Sequence, residues 1–396
     1  SMGGKINIGV VFEAELNDGG GFQTQISSLI QLNKQDKFFI KAFVFSKENK
    51  NSLELLNIES VLIKNSFFER YFRFLNKQEW FYKISRKFKL KTFFERELDT
   101  HNIDLVYFLS PSSLSLDLTT HNYIFTIWDL CHRDNPEFPE VNHFRNFENR
   151  EDLYFKASKK AIAVLTDSEL GRQNSIRRYG LDKNRVFSAS FGPSVNVISG
   201  NFIDIKIKYK IVGDYIYYPA QFWAHKNHIY IIDAIKVLKE KGILLNAIFS
   251  GSNKGNLDYV LNYAKKSGVE DLIKYIGFAP NEDIYYLYKQ SLGLVMPTYF
   301  GPTNIPPLEA FSIGTPVFYS NLEGLKDQVG DAAILCDLNN PSNLAEELIL
   351  IKDKERRKIM IDKGYKRLKE LQQNSIDEKL IFILEQYSAK LKCWKD

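Results

Sequence analysis

What this chain lacks narrows it first. Its 396 residues include three cysteines, Cys131, Cys336 and Cys393, too scattered for a zinc site or a disulfide framework. A reducing cytoplasm and a site without metal are therefore expected. No apolar run approaches the ~18 residues a membrane-spanning helix needs, so neither a transmembrane helix nor a signal peptide is expected. There is no internal repeat and no low-complexity tract. Nor is there a strong charge bias: 53 Lys and Arg against 48 Asp and Glu leave +5, which suits anionic substrates or an anionic lipid surface without calling for nucleic acid. Ser1-Met-Gly-Gly reads as an expression remnant before the native start and is set aside.

What is present is an ordinary globular composition, 44% hydrophobic and 26% charged, in a chain long enough for two domains with separate cores. Short apolar runs alternate with helical stretches. Strands are expected at 5–12, 38–46, 60–64, 104–109, 123–128 and 161–166, and again at 215–220, 245–250, 273–278, 292–296, 316–319 and 332–336. Regular βα alternation in both halves predicts an α/β fold of two doubly wound parallel sheets facing a central cleft. The expected boundaries are an N-terminal domain over 1–195, a second domain over 205–375, and a last helix in 376–396. The tail over 343–392 reads as two amphipathic helices.

Several strand ends carry polar or glycine-bearing loops, where open α/β sheets place ligands. The run 292–296 feeds Gly301, Pro302, Thr303 and Asn304, then a helix over 305–313 that begins Ile305-Pro306-Pro307. Asn304 is expected to cap that helix, with the prolines in its first turn and its dipole facing an anion. Glu309, one turn in, is placed to reach a diol. An ordinary crossover would carry the same pattern. Gln221-Phe-Trp-Ala-His-Lys226-Asn-His opens a second helix, with Asn227 as its cap; Lys226 there is either a phosphate ligand or a solvated lysine. Asp129-Leu-Cys-His132 ends one strand, and Gly251 and Phe278 end two others, near an expected nucleotide base. Gly20 and Gly21 lie between the first strand and a helix expected from Gln23, either as a phosphate cradle or as a flexible loop, since the spacing is not G-x-G-x-x-G.

The stretch Phe300-Gly-Pro-Thr-Asn-Ile-Pro-Pro-Leu-Glu-Ala-Phe-Ser-Ile-Gly-Thr-Pro-Val resembles the donor-binding signature of retaining GT-B glycosyltransferases of family four. The family's signature runs Glu-Gly-Phe-Gly-Leu-Pro-x-x-Glu. Its ribose-holding Glu falls on Glu309, and its sugar-contacting Glu falls on Gly301 and is absent. The family's phosphate-neutralising Arg and Lys fall on Gln221 and Lys226, so one charge of two is missing. A glycine pair facing the donor diphosphate falls on Gly20 and Gly21. The family's His-Asp motif corresponds here to Trp128-Asp129, with His132 three residues on; Asp129-Leu-x-His and Pro136-Glu-Phe138 resemble a bacterial surface-polysaccharide branch.

The resemblance implies a metal-independent, retaining hexosyl- or deoxyhexosyltransferase. It would move sugar from a nucleotide-diphosphate donor to a glycan or lipid-linked acceptor in O-antigen, capsule or lipopolysaccharide synthesis. Asp129, His132 and Lys226 would be the catalytic groups; Gly20, Gly21, Gln221, Lys226, Gly251, Phe278, Thr303, Asn304, Ile305 and Glu309 would bind the donor. From Phe72 to Arg96 basic and aromatic residues interleave. They form either an interfacial helix pair that brings the enzyme to an anionic inner membrane face or an ordinary pair packed inward. Rival readings are an epimerase or phosphorylase on the same fold, and a catalytically silent binding or scaffold protein.

Overall fold

The computed structural model describes residues 5–14, 20–64, 66–188, 195, 197–301, 304–372 and 378–395. The chain divides into two compact units, one of Ser1–Pro136, Phe144–Gly192 and Asn374–Asp396, the other of Glu137–His143 and Pro193–Gln373. Each unit carries its own parallel sheet.

The first sheet contains β1 (Ile6–Phe12), β2 (Phe38–Val44), β3 (Ser60–Leu62), β4 (Leu105–Phe108), β5 (Asn122–Ile127), β6 (Ala163–Thr166) and β7 (Val186–Ser188). Their order is β3-β2-β1-β4-β5-β6-β7, so the winding reverses between β1 and β4. Strands such as β4 and β6 are buried at every residue, as sheets covered on both faces require. Apolar clusters lie on both faces. Into one of them the last helix, Glu378–Leu391, buries Leu380, Ile383, Leu384, Tyr387 and Leu391. Each such side chain contributes about 1.5–3 kcal/mol. Tyr387 also donates to the Asp104 carbonyl at 2.8 Å.

The second sheet contains β8 (Tyr215–Pro219), β9 (Asn246–Ser250), β10 (Ile273–Tyr275), β11 (Leu294–Met296), β12 (Val317–Ser320) and β13 (Ile334–Cys336). Its order, β10-β9-β8-β11-β12-β13, reverses between β8 and β11. Both predicted parallel sheets are therefore present. The tail expected as two helices differs: Pro341–Leu350, Lys354–Gln372 and Glu378–Leu391 are separate. Asp353 makes the break, accepting the Arg356 N–H on its carboxylate and the Arg357 N–H on its carbonyl. The helix expected from Gln23 begins at Gly20. First-turn positions have no i−4 partner, so glycine is tolerated there. Residues 15–19 before it lie outside the described residues.

Between β3 and β4 the basic-aromatic stretch forms helices Phe67–Asn76, Glu79–Lys87 and Phe93–Thr100. The last belongs to the core, with Phe94 buried edge-on against Phe43. The first two form a hairpin fastened by polar bonds: Arg73 to Asp117, Ser85 to Asn76, and the Phe93 N–H to Glu69. Phe67, Phe68, Tyr71, Phe74, Trp80, Tyr82 and Phe88 are exposed. The patch thus starts earlier than Phe72 and ends near Leu90, and Arg73 is taken up by Asp117. Among the described residues no helix is long and apolar enough to cross a membrane.

Candidate active site

In the second unit the reversal between β8 and β11 brings two loops together. The chain leaving β8 is zipped to the loop after β9: the Phe222 N–H donates to the Ser252 carbonyl, and the Asn256 N–H to the Phe222 carbonyl. Gly251 permits this approach, since a Cβ there would lie 2.2 Å from the Ala220 carbonyl oxygen at φ +135°. A 3₁₀ turn, Ala224–Lys226, follows. The loop after β11 is tied to that turn by the Tyr299 N–H donating to the His225 carbonyl at 3.0 Å. Asn227 adds a second tie through its Nδ2 to the Pro297 carbonyl at 3.1 Å.

Lys226 therefore sits on a constrained turn, and its ammonium makes no ion pair or hydrogen bond with any described residue. Burial pushes its pKa down to about 8, with the Glu140 carboxylate acting in the other direction. His228 beside it is fully buried, stacked on Phe222 at 4.3 Å, and burial pushes its pKa down to about 3. It stays neutral and packs as an aromatic.

Glu309 lies on the helix Ile305–Ile313 and accepts from the buried Tyr288 hydroxyl at 3.0 Å through Oε1. Burial raises its pKa, with that hydroxyl pulling back. Its second oxygen has no partner among the described residues and can accept from a diol. Gln221 accepts the Trp223 indole N–H on Oε1 at 3.0 Å. Because an indole only donates, this bond fixes the amide orientation and leaves the Gln221 NH2 free to donate. Phe278 is 69% exposed at the β10 end, with no ring contact among the described residues. Thr303 lies outside the described residues.

Neither asparagine read as a cap serves as one. Asn304 makes no cap bond, because Pro306 and Pro307 occupy the positions whose N–H groups a cap would accept. It donates instead to the Tyr319 hydroxyl, which donates to Gln328, and Gln328 donates to the Asn304 carbonyl. The same prolines leave the N–H groups of Asn304 and Ile305 as the donors at this dipole end, without an acceptor among the described residues. Asn227 is itself left-handed (φ 59°) and its side chain is used by Pro297. At Gly301 a Cβ would lie 2.3 Å from Asn304 Oδ1, so the amide fills the space of the absent carboxylate.

In the first unit, Asp129 and His132 follow β5. Asp129 accepts from the Cys131 N–H and from Arg150 Nη1, both at 3.0 Å. Nearby Asp167, after β6, has its pKa raised to about 8, by burial and then by the Asp129 charge. His132 turns inward on the helical turn Cys131–Asp134 and is 0% exposed. Its Nε2 meets Glu151 at 2.8 Å and the Tyr179 hydroxyl at 3.3 Å, and burial lowers its pKa. From there it cannot touch a sugar unless its cover moves. Gly20 and Gly21 occupy the first turn of the helix Gly20–Asn33 after β1.

One contributor had no signal in the sequence. Glu140, on the turn Pro139–Asn142, accepts the His225 N–H at 2.7 Å and is bonded to its Nδ1 as well. Among the described residues no three His, Cys, Asp or Glu side chains gather as a metal site.

The family profile described as "Glycosyl transferases group 1" matches residues 206–367. The O-antigen chain mannosyltransferase B of Escherichia coli is 25% identical over 253 residues, which are 62% of this chain and 66% of that protein. A D-inositol 3-phosphate glycosyltransferase of Frankia alni is 28% identical over 101 residues, 25% of each chain. The matches thus span from a quarter to about two thirds of these relatives' own length. Among solved structures, Anabaena Alr3699/HepE in complex with UDP and glucose superposes with a TM-score of 0.67 at 16% identity, covering 98% of this chain and 100% of that one. WaaG, a glycosyltransferase involved in lipopolysaccharide biosynthesis, gives 0.63 at 14% identity, covering 96% and 99%. The chain has the GT-B fold, and its residues 206–367 match the profile of the group 1 glycosyl transferases.

Proposed function

We propose that this glycosyltransferase moves a hexosyl or deoxyhexosyl group, with retention, from a nucleoside-diphosphate sugar to a glycan or lipid-linked acceptor in bacterial surface-polysaccharide synthesis. The observation that carries the reading is the partly desolvated Lys226 ammonium, without a partner among the described residues, on a turn whose backbone is tied to the loop that leads to Glu309. The donor's diphosphate would lie on Lys226, the Gln221 NH2 and the N–H groups of Asn304 and Ile305. Glu309 would grip the ribose diol, and exposed Phe278 beside Gly251 would take the base. As the C1–O bond to the β-phosphate breaks, its electron pair passes to that phosphate. The acceptor oxygen adds to C1 from the same face, and its proton goes to the departing phosphate oxygen. Lys226 stabilises the growing charge in a site where water is scarce. No metal is required in this scheme. Asp129 shapes the strand end beside Asp167, and His132 holds that shape from behind.

The likeness to the O-antigen chain mannosyltransferase and to WaaG supports a surface-polysaccharide pathway. The hairpin's outward aromatics and exposed Lys77, Lys83, Lys87 and Lys89 support peripheral contact with anionic lipid. A second reading, a silent GT-B binding protein, is favoured by the neutral Gln221, the filled space at Gly301 and the buried His132. Hydrolysis of a panel of sugar nucleotides without acceptor separates them. Release of nucleoside diphosphate from one donor supports the transferase; binding without release from any donor supports the silent protein.

A further inference from the structure

The residues Glu137–His143 lie in sequence between β5 and the helix Asn146–Lys160, yet they group with the second unit. The chain rejoins the first unit through two consecutive non-glycine residues in the left-handed region, Phe144 (φ 55°) and Arg145 (φ 65°). Side chains larger than glycine disfavour that region, and Phe144 gains no burial there, being 94% exposed. Such strain persists where something else fixes the backbone.

The segment before it is anchored on His225. Glu140 accepts both the backbone N–H and the ring N–H of His225, with each of the two side chains 10% exposed. The imidazole stacks on Phe300 at 3.9 Å, and Phe138 packs against His225, Tyr299 and Phe300. The His225 carbonyl accepts from Tyr299. His225 thus joins the turn carrying Lys226 to the loop leading to Gly301 and Glu309, and Glu140 is its anchor.

We propose that Glu140 is a positioning residue for the donor site: it locks His225, and so the Lys226 turn and the Phe300 loop, while leaving its own charge near Lys226 without pairing to it. Because His225 takes the carboxylate, the ammonium stays available for phosphate. The same negative charge keeps Lys226 protonated against burial. Among the described residues, the other titratable groups coupled to this turn are His225 on the turn itself and the neutral His228 on the following helix. The inference rests on Lys226 as the diphosphate ligand.

The test titrates UDP, GDP and ADP by calorimetry into the full chain from pH 6.5 to 9.5, with thermal melts alongside. The variants are Lys226→Ala, Glu140→Gln and Glu140→Asp. With the tightest of the three nucleotides, parental affinity should fall as pH rises through about 8, where Lys226 loses its proton. Glu140→Gln should bind several-fold more weakly at pH 7, and its fall should come about one pH unit lower, as loss of a neighbouring opposite charge requires. Glu140→Asp should return the fall to the parental pH while binding more weakly, because the shorter side chain keeps the charge but not the reach. A merely structural Glu140 would leave the pH of the fall unmoved. If Lys226→Ala loses affinity but Glu140→Gln matches the parent in affinity and pH dependence, the inference is overturned and the donor reading stands. If Lys226→Ala binds like the parent, both fall. Should Glu140→Gln not fold, Glu140→Asp decides, and parental affinity there overturns the inference.

Discussion

The two units end their sheets with polar clusters of similar make-up and opposite condition. In the first unit Asp129 is held by Arg150 and the Cys131 N–H, and His132 is sealed against Glu151 and Tyr179. Its functional-looking groups already have partners. In the second unit the Lys226 ammonium and one Glu309 oxygen have none among the described residues, although burial penalises both charges. A charge left desolvated and unpaired weakens the free protein and is relieved when a ligand arrives. The first cluster is thus closed by its own partners, and the second is where the proposed function puts the donor.

Breaking that contrast should give its largest effect at Lys226. Removing a preorganised stabiliser of developing charge typically lowers rate by ~10²–10³. Lys226→Ala should do so mainly in kcat, with melting temperature unchanged or raised, since a buried charge is removed. Gln221 is neutral, and Gln221→Arg should partly rescue the variant by returning a charge. Retention of more than about a third of parental kcat would end the assignment.

His132→Ala should behave in the opposite way. Truncating a buried aromatic side chain costs roughly 3 kcal/mol through the cavity it leaves. Denaturant unfolding should show that loss in the first unit, while nucleoside diphosphate affinity stays near parental. Acid sharpens the same point. His132 is kept neutral in the folded chain, below its ordinary pKa of 6.5. Its stabilising contribution is therefore present above pH 6.5 and lost as pH falls below it, when the unfolded chain gains a proton. The variant should lose part of this acid slope.

Glu309→Gln keeps an acceptor for the Tyr288 hydroxyl, so stability should hold. Losing the charge on the diol contact should weaken diphosphate binding by about 1.5–3 kcal/mol. Equal calorimetric affinities would remove Glu309 from the site. The smallest effects belong to the hairpin, where each cation near an anionic surface contributes about 1 kcal/mol. Replacing Lys77, Lys83, Lys87 and Lys89 with Gln should release the chain from anionic vesicles at low salt without changing its melting. Binding indifferent to lipid charge would leave the aromatics without that partner.

Much of this frame was legible in the sequence, because doubly wound sheets write their strands as short apolar runs with polar loops behind them. The helix Ile305–Ile313 has the predicted limits, set by Asn304 and Gly314. The capping roles of Asn304 and Asn227 were misread for a local reason: prolines removed the donors in one case, and a left-handed backbone redirected the side chain in the other. His132 could not be placed inside or outside from sequence, since a single helical turn decides which way it points. Glu140 was invisible because its partner lies 85 positions away and no periodicity links them.

The central claim, that Lys226 and Glu309 in the second unit hold the donor, is tested most directly by one difference in affinity. Calorimetry should compare a nucleoside diphosphate with its bare nucleoside, in the parent and in Lys226→Ala. The account predicts that the diphosphate binds far more tightly than the nucleoside in the parent, and that this gap largely closes in the variant while nucleoside affinity is unchanged. A gap of the same size in both proteins would contradict it.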